Sequence, residues 1–218
     1  MATFDPKTLD FTNPVAPNLP LAPGEYSRQF QDQFENILRL YFNQLDNTFG
    51  SLLGPNGGKY LRFPYGAFSS NVDQTAVVNT ATLMTLDTTD FSNGVSISSS
   101  KITVANSGIY NLQFSVQLES SSNAPQDVYI WLKQNGVDIP GSTGLVGMPA
   151  RKNPGDPFHD IKGWNYPLSM TAGDYVEIYW STTSADVSIQ YYAASGSPTK
   201  PATQSVVATM FFVSRLPS

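Results

Sequence analysis

The chain has 218 residues, a formal net charge of −5, no cysteine and a single histidine, a length that allows one well-buried domain with an appendage but not two ordinary domains. Without cysteine there are no disulfides, no thiolate chemistry and no cysteine metal sites. Charged residues are 13% of the chain, about half the usual share for soluble domains, and no basic stripe or lipidation segment occurs, so neither nucleic acid nor a membrane surface is an expected partner.

Residues 1–24 carry five prolines, Pro6, Pro14, Pro17, Pro20 and Pro23, which forbid a helix and favour an extended arm. The segment lacks a basic region followed by an apolar run, so it does not read as a signal peptide. No stretch reaches the length of a membrane-spanning helix. Two readings of the arm stay open: a disordered tail, or a docking strap. Phe11, Leu19 and Leu21 are among the apolar residues that favour the strap, being too many for a purely solvating linker.

Residues 25–54 hold the one long helical pattern. Pro23–Gly24 stops the chain before it, and the helix is expected to start near Glu25 or Ser27. Phe30, Phe34, Ile37, Leu38, Tyr41, Leu45, Phe49 and Leu52 recur mostly at spacings of three or four, and Leu40 and Phe42 widen the stripe. Such a helix is about 40 Å long. The flank of a small β domain could cover a narrow stripe. A stripe this wide favours a bundle with identical helices from other chains.

The stretch "GPNGGKYLRFPYG" (54–66) ends the helix. Its glycine spacing is wrong for a phosphate loop, and Tyr60 stands where Ser or Thr should hold a metal. Residues 55–65 therefore read as a helix stop and joint.

From Tyr65 onward the pattern is that of strands. In "IYNLQFSVQL" (109–118) Tyr110, Leu112, Phe114, Val116 and Leu118 share a face. "VYIWLKQNGVDI" (128–139) contains Asn135–Gly136, a strong hairpin signal. "DYVEIYWSTT" (174–183) puts Val176, Ile178 and Trp180 on one face, with Tyr175 and Tyr179 on the other. Shorter candidates are 66–70, 81–86, 101–105, 165–170 and 187–194, and "SVVATMFFVSRL" (205–216) closes the chain. An antiparallel sandwich is expected. Large residues on both faces, at Tyr129/Trp131, Tyr175/Tyr179 and "MFFV", imply a second buried face and hence a partner.

The connection 140–163 reads as the largest irregular region, the kind of loop that carries binding on a rigid sandwich. Arg151, Lys152 and Lys162 lie in it with Phe158, and Trp164 follows; such groups suit contact with a sugar or a protein. The alternative is that Phe158 and Trp164 fill the end of the sandwich. His159 stands between Asp156 and Asp160. No nucleophile elbow, no metal-ligand spacing and no assignable carboxylate pair accompanies it, so no catalysis is expected.

The stretches 86–118, 128–137, 165–180 and 206–216 resemble, in this order, the C1q/TNF-like jelly roll. Gly108-Ile109-Tyr110 matches the family's opening of a central strand, and Leu168 with Ala172-Gly173-Asp174 and Val176 matches the opening of another. The resemblance covers about residues 66–218 and concerns turns and core positions. It implies a jelly-roll head forming a tight homotrimer, with the helix replacing the family's collagen as a trimeric stalk. It also implies that a calcium ion at the head apex would use acidic loops, with Asp87, Asp90, Asp186 and residues 153–160 as unassigned candidates; no other cofactor is expected.

Residues 11–54 are similar to the opening of structural proteins from tailed phages of marine bacteria, cyanophages especially. Asn18–Pro23 with Tyr26, and "LRLYFNQLD" (38–46), carry that likeness. It implies a virion protein made in a host cytoplasm, docked to other virion proteins by residues 1–24. The expected function is a homotrimeric short fibre or knob presenting a head to a host-surface glycan or protein. A capsid decoration protein is the alternative, and a virion glycan hydrolase a remote one.

Overall fold

The computed structural model describes residues 15–53 and 63–216. The chain divides into two compact units, Met1–Arg62 and Phe63–Ser218. In the first, residues 15–27 form neither helix nor strand. Leu21 is fully exposed and Leu19 half-exposed. Phe11 and Tyr60 lie outside the described residues.

Helix α1 spans Arg28–Leu53. Ser27 caps it: its Oγ accepts the Phe30 N–H at 3.3 Å and its carbonyl accepts the Gln31 N–H at 3.1 Å. Phe30 and Phe34 stack with ring centroids 6.1 Å apart. Phe30, Phe34, Ile37, Leu38, Tyr41 and Leu45 are half-buried along one stripe, while Leu40, Phe42 and Phe49 are exposed. Leu52 belongs to the last turn, with its side chain outside the described set. Arg28 with Asp32, Gln31 with Glu35 and Arg39 with Asn36 pair on the polar side, each contributing a few tenths of a kcal/mol at most. No residue from 28 to 50 is buried.

The second unit contains, in chain order, β1 (Tyr65–Ser70), β2 (Gln74–Thr75), β3 (Thr82–Leu83), β4 (Thr88–Asn93), β5 (Val95–Ser98), β6 (Lys101–Val104), β7 (Gly108–Ser120), β8 (Gln126–Gln134), β9 (Val137–Asp138), β10 (Gly144–Met148), β11 (Phe158–Met170), β12 (Tyr175–Thr182), β13 (Val187–Ile189), β14 (Ser195–Gly196), β15 (Thr199–Lys200) and β16 (Val206–Ser214). The paired strands are antiparallel and build two large sheets. In the first, β11, β7, β16, β1 and β4 lie side by side, with β13 and β2 continuing beyond β16 along the end of β7. In the second the order is β10-β8-β12-β6-β5, with β3 beside β12 and β9 beside β8. Most neighbours are distant in sequence.

Period-two patterning generates the core. Tyr110, Leu112, Phe114, Val116 and Leu118 of β7 point inward and are buried, as are Val128, Ile130 and Leu132 of β8 and Val176, Ile178 and Trp180 of β12. One hydrophobic cluster joins both sheets. Two turns are fixed by local bonds. Tyr110 Oη donates to the Asn106 carbonyl at 2.7 Å, tying the start of β7 to the loop before it. Asn135 and Gly136 take positive φ, 52° and 81°, as the tight β8–β9 hairpin requires. The connection 140–163 departs from the expected irregular loop: it contains β10 and the first residues of β11. Pro167 sits in β11, an edge strand of its sheet, where a missing N–H is tolerated.

Candidate functional site

The six residues expected to form a head binding loop do not converge. Arg151 and Lys152 precede β11; the Arg151 N–H donates to the Ser122 carbonyl at 2.8 Å. The other four lie on β11, whose alternation separates His159 from Phe158, Lys162 and Trp164. Phe158 and Trp164 pack against the core. The Trp164 ring meets Phe114 edge-on at 4.7 Å and lies where a Cβ on Gly144 would fall. Lys162 pairs with Asp160 at 2.8 Å.

His159 joins a different group. Register places it directly opposite Glu119 on β7, on the outer face of the first sheet. The segment 190–205 crosses back over this end of the sheet, held by the Tyr192–Thr203 bridge and carrying the β14–β15 pair. Tyr192 Oη donates to Glu119 Oε2 at 2.7 Å and lies 3.0 Å from His159 Nδ1. Nδ1 is 3.5 Å from the same carboxylate oxygen. Burial, then the Glu119 hydrogen bond and charge, push the Tyr192 phenol well above its ordinary range. The Lys200 ammonium sits 5.3 Å over the Tyr192 ring. Gln117, His159, Tyr192, Lys200 and Thr203 line an open cavity of about 290 Å³.

The two outer sheet faces differ in chemistry. On the second sheet Tyr129 is exposed, while the other outward rings meet charge: Lys133 stands 4.6 Å over Tyr179 and Lys101 4.3 Å over Tyr175. Asp138 accepts the Trp131 indole N–H at 2.8 Å and pairs with Lys133 at 3.4 Å. These contacts suit rings that remain beside water. On the first sheet, the outward positions of β7 from Ile109 to Gln117, of β16 from Val207 to Val213 and of β11 from Ile161 to Ser169 carry no charged side chain. Ile161, Phe211 and Val213 are exposed there. A depression of about 330 Å³ between Gln113, Ser115, Val207, Thr209 and Phe211 marks its middle. The sequence reading assigned a second buried face to both sets of aromatics; the cation and Asp138 contacts separate them.

Of the acidic positions considered for a metal, Asp87 accepts the Thr88 hydroxyl at 2.8 Å and Asp90 the Ser69 hydroxyl at 3.3 Å. Among the described residues no three His, Cys, Asp or Glu side chains are grouped to hold a metal ion, and no helix is long and apolar enough to cross a membrane. Neither a protein-family model nor a curated protein sequence matches the chain.

Proposed function

We propose that this chain is a homotrimeric structural protein of a tailed-phage virion, with α1 as stalk and the β unit as a jelly-roll attachment head. The observation that carries the assembly is the uncharged stretch of the first sheet's outer face over β7, β11 and β16. Interface cores are depleted of charge, and around a threefold axis each copy of a side chain approaches its own copies, so any charge there would face its like. The uncovered stripe of α1 supports the same reading, because an apolar helix face left in water contributes little unless another helix covers it. Two sheets built from sequence-distant neighbours support a jelly roll over a simple meander.

The virion setting rests on the likeness of residues 11–54 to phage structural proteins, with the arm as the docking element. Attachment then works by avidity, since three heads on one stalk turn weak single contacts into lasting ones. Virions of the phage that encodes the chain, imaged with a labelled antibody against the head, test this directly. Label at the tail or its fibres is the expected result. Label spread over the capsid would make the protein a decoration, and absence of label from virions would end the proposal.

A further inference from the structure

We propose that the cavity between Gln117, His159, Tyr192, Lys200 and Thr203 binds a neutral sugar ring, such as the terminal hexose of a surface glycan. The inference deepens the attachment reading by naming a ligand class, and rests on that reading only for where the sugar comes from. The cavity lies at the end of the sheet opposite to the one where the chain enters at Phe63, because Phe212 bonds Pro64 at one end and His159 pairs Glu119 at the other. It therefore adjoins the far end of the uncharged patch, with which it shares Gln117.

The hydrogen-bond order decides what the site offers. Tyr192 keeps its proton and donates it in a hydrogen bond to Glu119, so its oxygen can only accept from His159 Nδ1. A neutral imidazole then carries its hydrogen on Nδ1 and keeps the Nε2 lone pair. Lys200 is a pure donor, while the Gln117 amide and the Thr203 hydroxyl both donate and accept. Neighbouring sugar hydroxyls, each donor and acceptor at once, need this mixture.

Charge argues for a neutral ligand over an acidic one. Glu119 accepts from Tyr192 and Asp73 from the adjoining Tyr191 N–H, and among the described residues Lys200 is the one ammonium lining the cavity. With the imidazole uncharged, two carboxylates stand against one cation, which disfavours a uronate. A volume of about 290 Å³ is at the low end for small-molecule sites and suits one ring.

His159 is the only histidine, so its imidazole NMR signals report on the cavity without assignment ambiguity. The full chain would be titrated with methyl glucoside, methyl galactoside, methyl mannoside and methyl glucuronide. At least one neutral glycoside should shift the His159 signals saturably at about millimolar concentration, and glucuronide about tenfold more weakly. Lys200→Ala and Gln117→Ala should each weaken the response by about tenfold. Lys101→Ala, on the other sheet, should leave it unchanged. Silence toward all three neutral glycosides, or an equal response to glucuronide, would overturn the proposal. Sedimentation of the same samples separates it from the assembly: a trimer with silent His159 overturns the sugar site alone, and a monomer with saturable shifts supports the site while overturning the trimer.

Discussion

Asp174 carries the Gly-Asp turn before β12. Its Oδ2 accepts the Thr171 N–H at 2.7 Å and its Oδ1 accepts from Asn135 Nδ2 at 2.8 Å, and these bonds, the Thr171 one foremost, lower its pKa. A carboxyl whose folded pKa lies below its unfolded one stabilises the protein above the unfolded value, about 3.9, and loses that contribution as pH falls through the folded value. Asp174→Ala should therefore lower the urea midpoint at pH 7, with the gap to wild type closing in acid; a gap that persists at pH 2 would assign the effect to something other than the charge. Tyr110→Phe leaves the Asn106 carbonyl without its phenol partner and should cost about 1–2 kcal/mol by denaturant unfolding. Both turns were legible in the sequence through their short-range part, the Thr171–Asp174 and Asn106–Tyr110 bonds spanning three and four residues; the Asn135 bond, reaching Asp174 from 39 residues away, was not. The His159 group was not, since Glu119 and Tyr192 lie 40 and 33 residues from it in a chain numbered 119, 159 and 192. Only the cross-strand register and the fold-back of segment 190–205 bring them together.

At the scale of elements, strands buried on one face announced themselves by alternation: β7, β8 and β12 carry their apolar residues where the sequence put them. The missed strands lack that signal for physical reasons. β4 is an edge strand exposed over most of its length. β10 is interrupted by Gly147, and the first half of β11 mixes His159, Asp160, Lys162 and Gly163 on a half-covered edge. Gly163 is there because a Cβ would run into the Phe114 carbonyl oxygen of the adjacent strand. Gly163→Ala should cost about 1–3 kcal/mol, and an unchanged unfolding midpoint would contradict that close approach. The helix was legible in period and start, with Ser27 as its cap. Most helical stability in proteins comes from packing of an apolar face, so the 26-residue α1 depends on what covers its stripe. Ile37→Asp with Tyr41→Asp, on the stripe, should therefore reduce the helical circular dichroism signal; Asp32→Ala with Arg39→Ala, on the polar side, should not.

For the molecule as a whole, the sequence pointed to self-association through a second apolar face, and the proposed trimer would use the uncharged stretch over β7, β11 and β16 as that face. Thr209→Lys, at the middle of the depression, places a charge where copies would meet. It should loosen the heads and, combined with the two helix substitutions, yield single chains. Lys133→Ala on the opposite sheet should remove the cover of Tyr179, worth about 0.5–1 kcal/mol, and the pairing with Asp138, and leave the heads associated. The most direct measurement is the sedimentation-equilibrium mass of the purified full chain in dilute solution. The account predicts three times the 23.8 kDa chain mass, falling toward a single chain in the combined Thr209→Lys, Ile37→Asp and Tyr41→Asp variant. A wild-type mass of one chain would contradict both the stalk and the head interface.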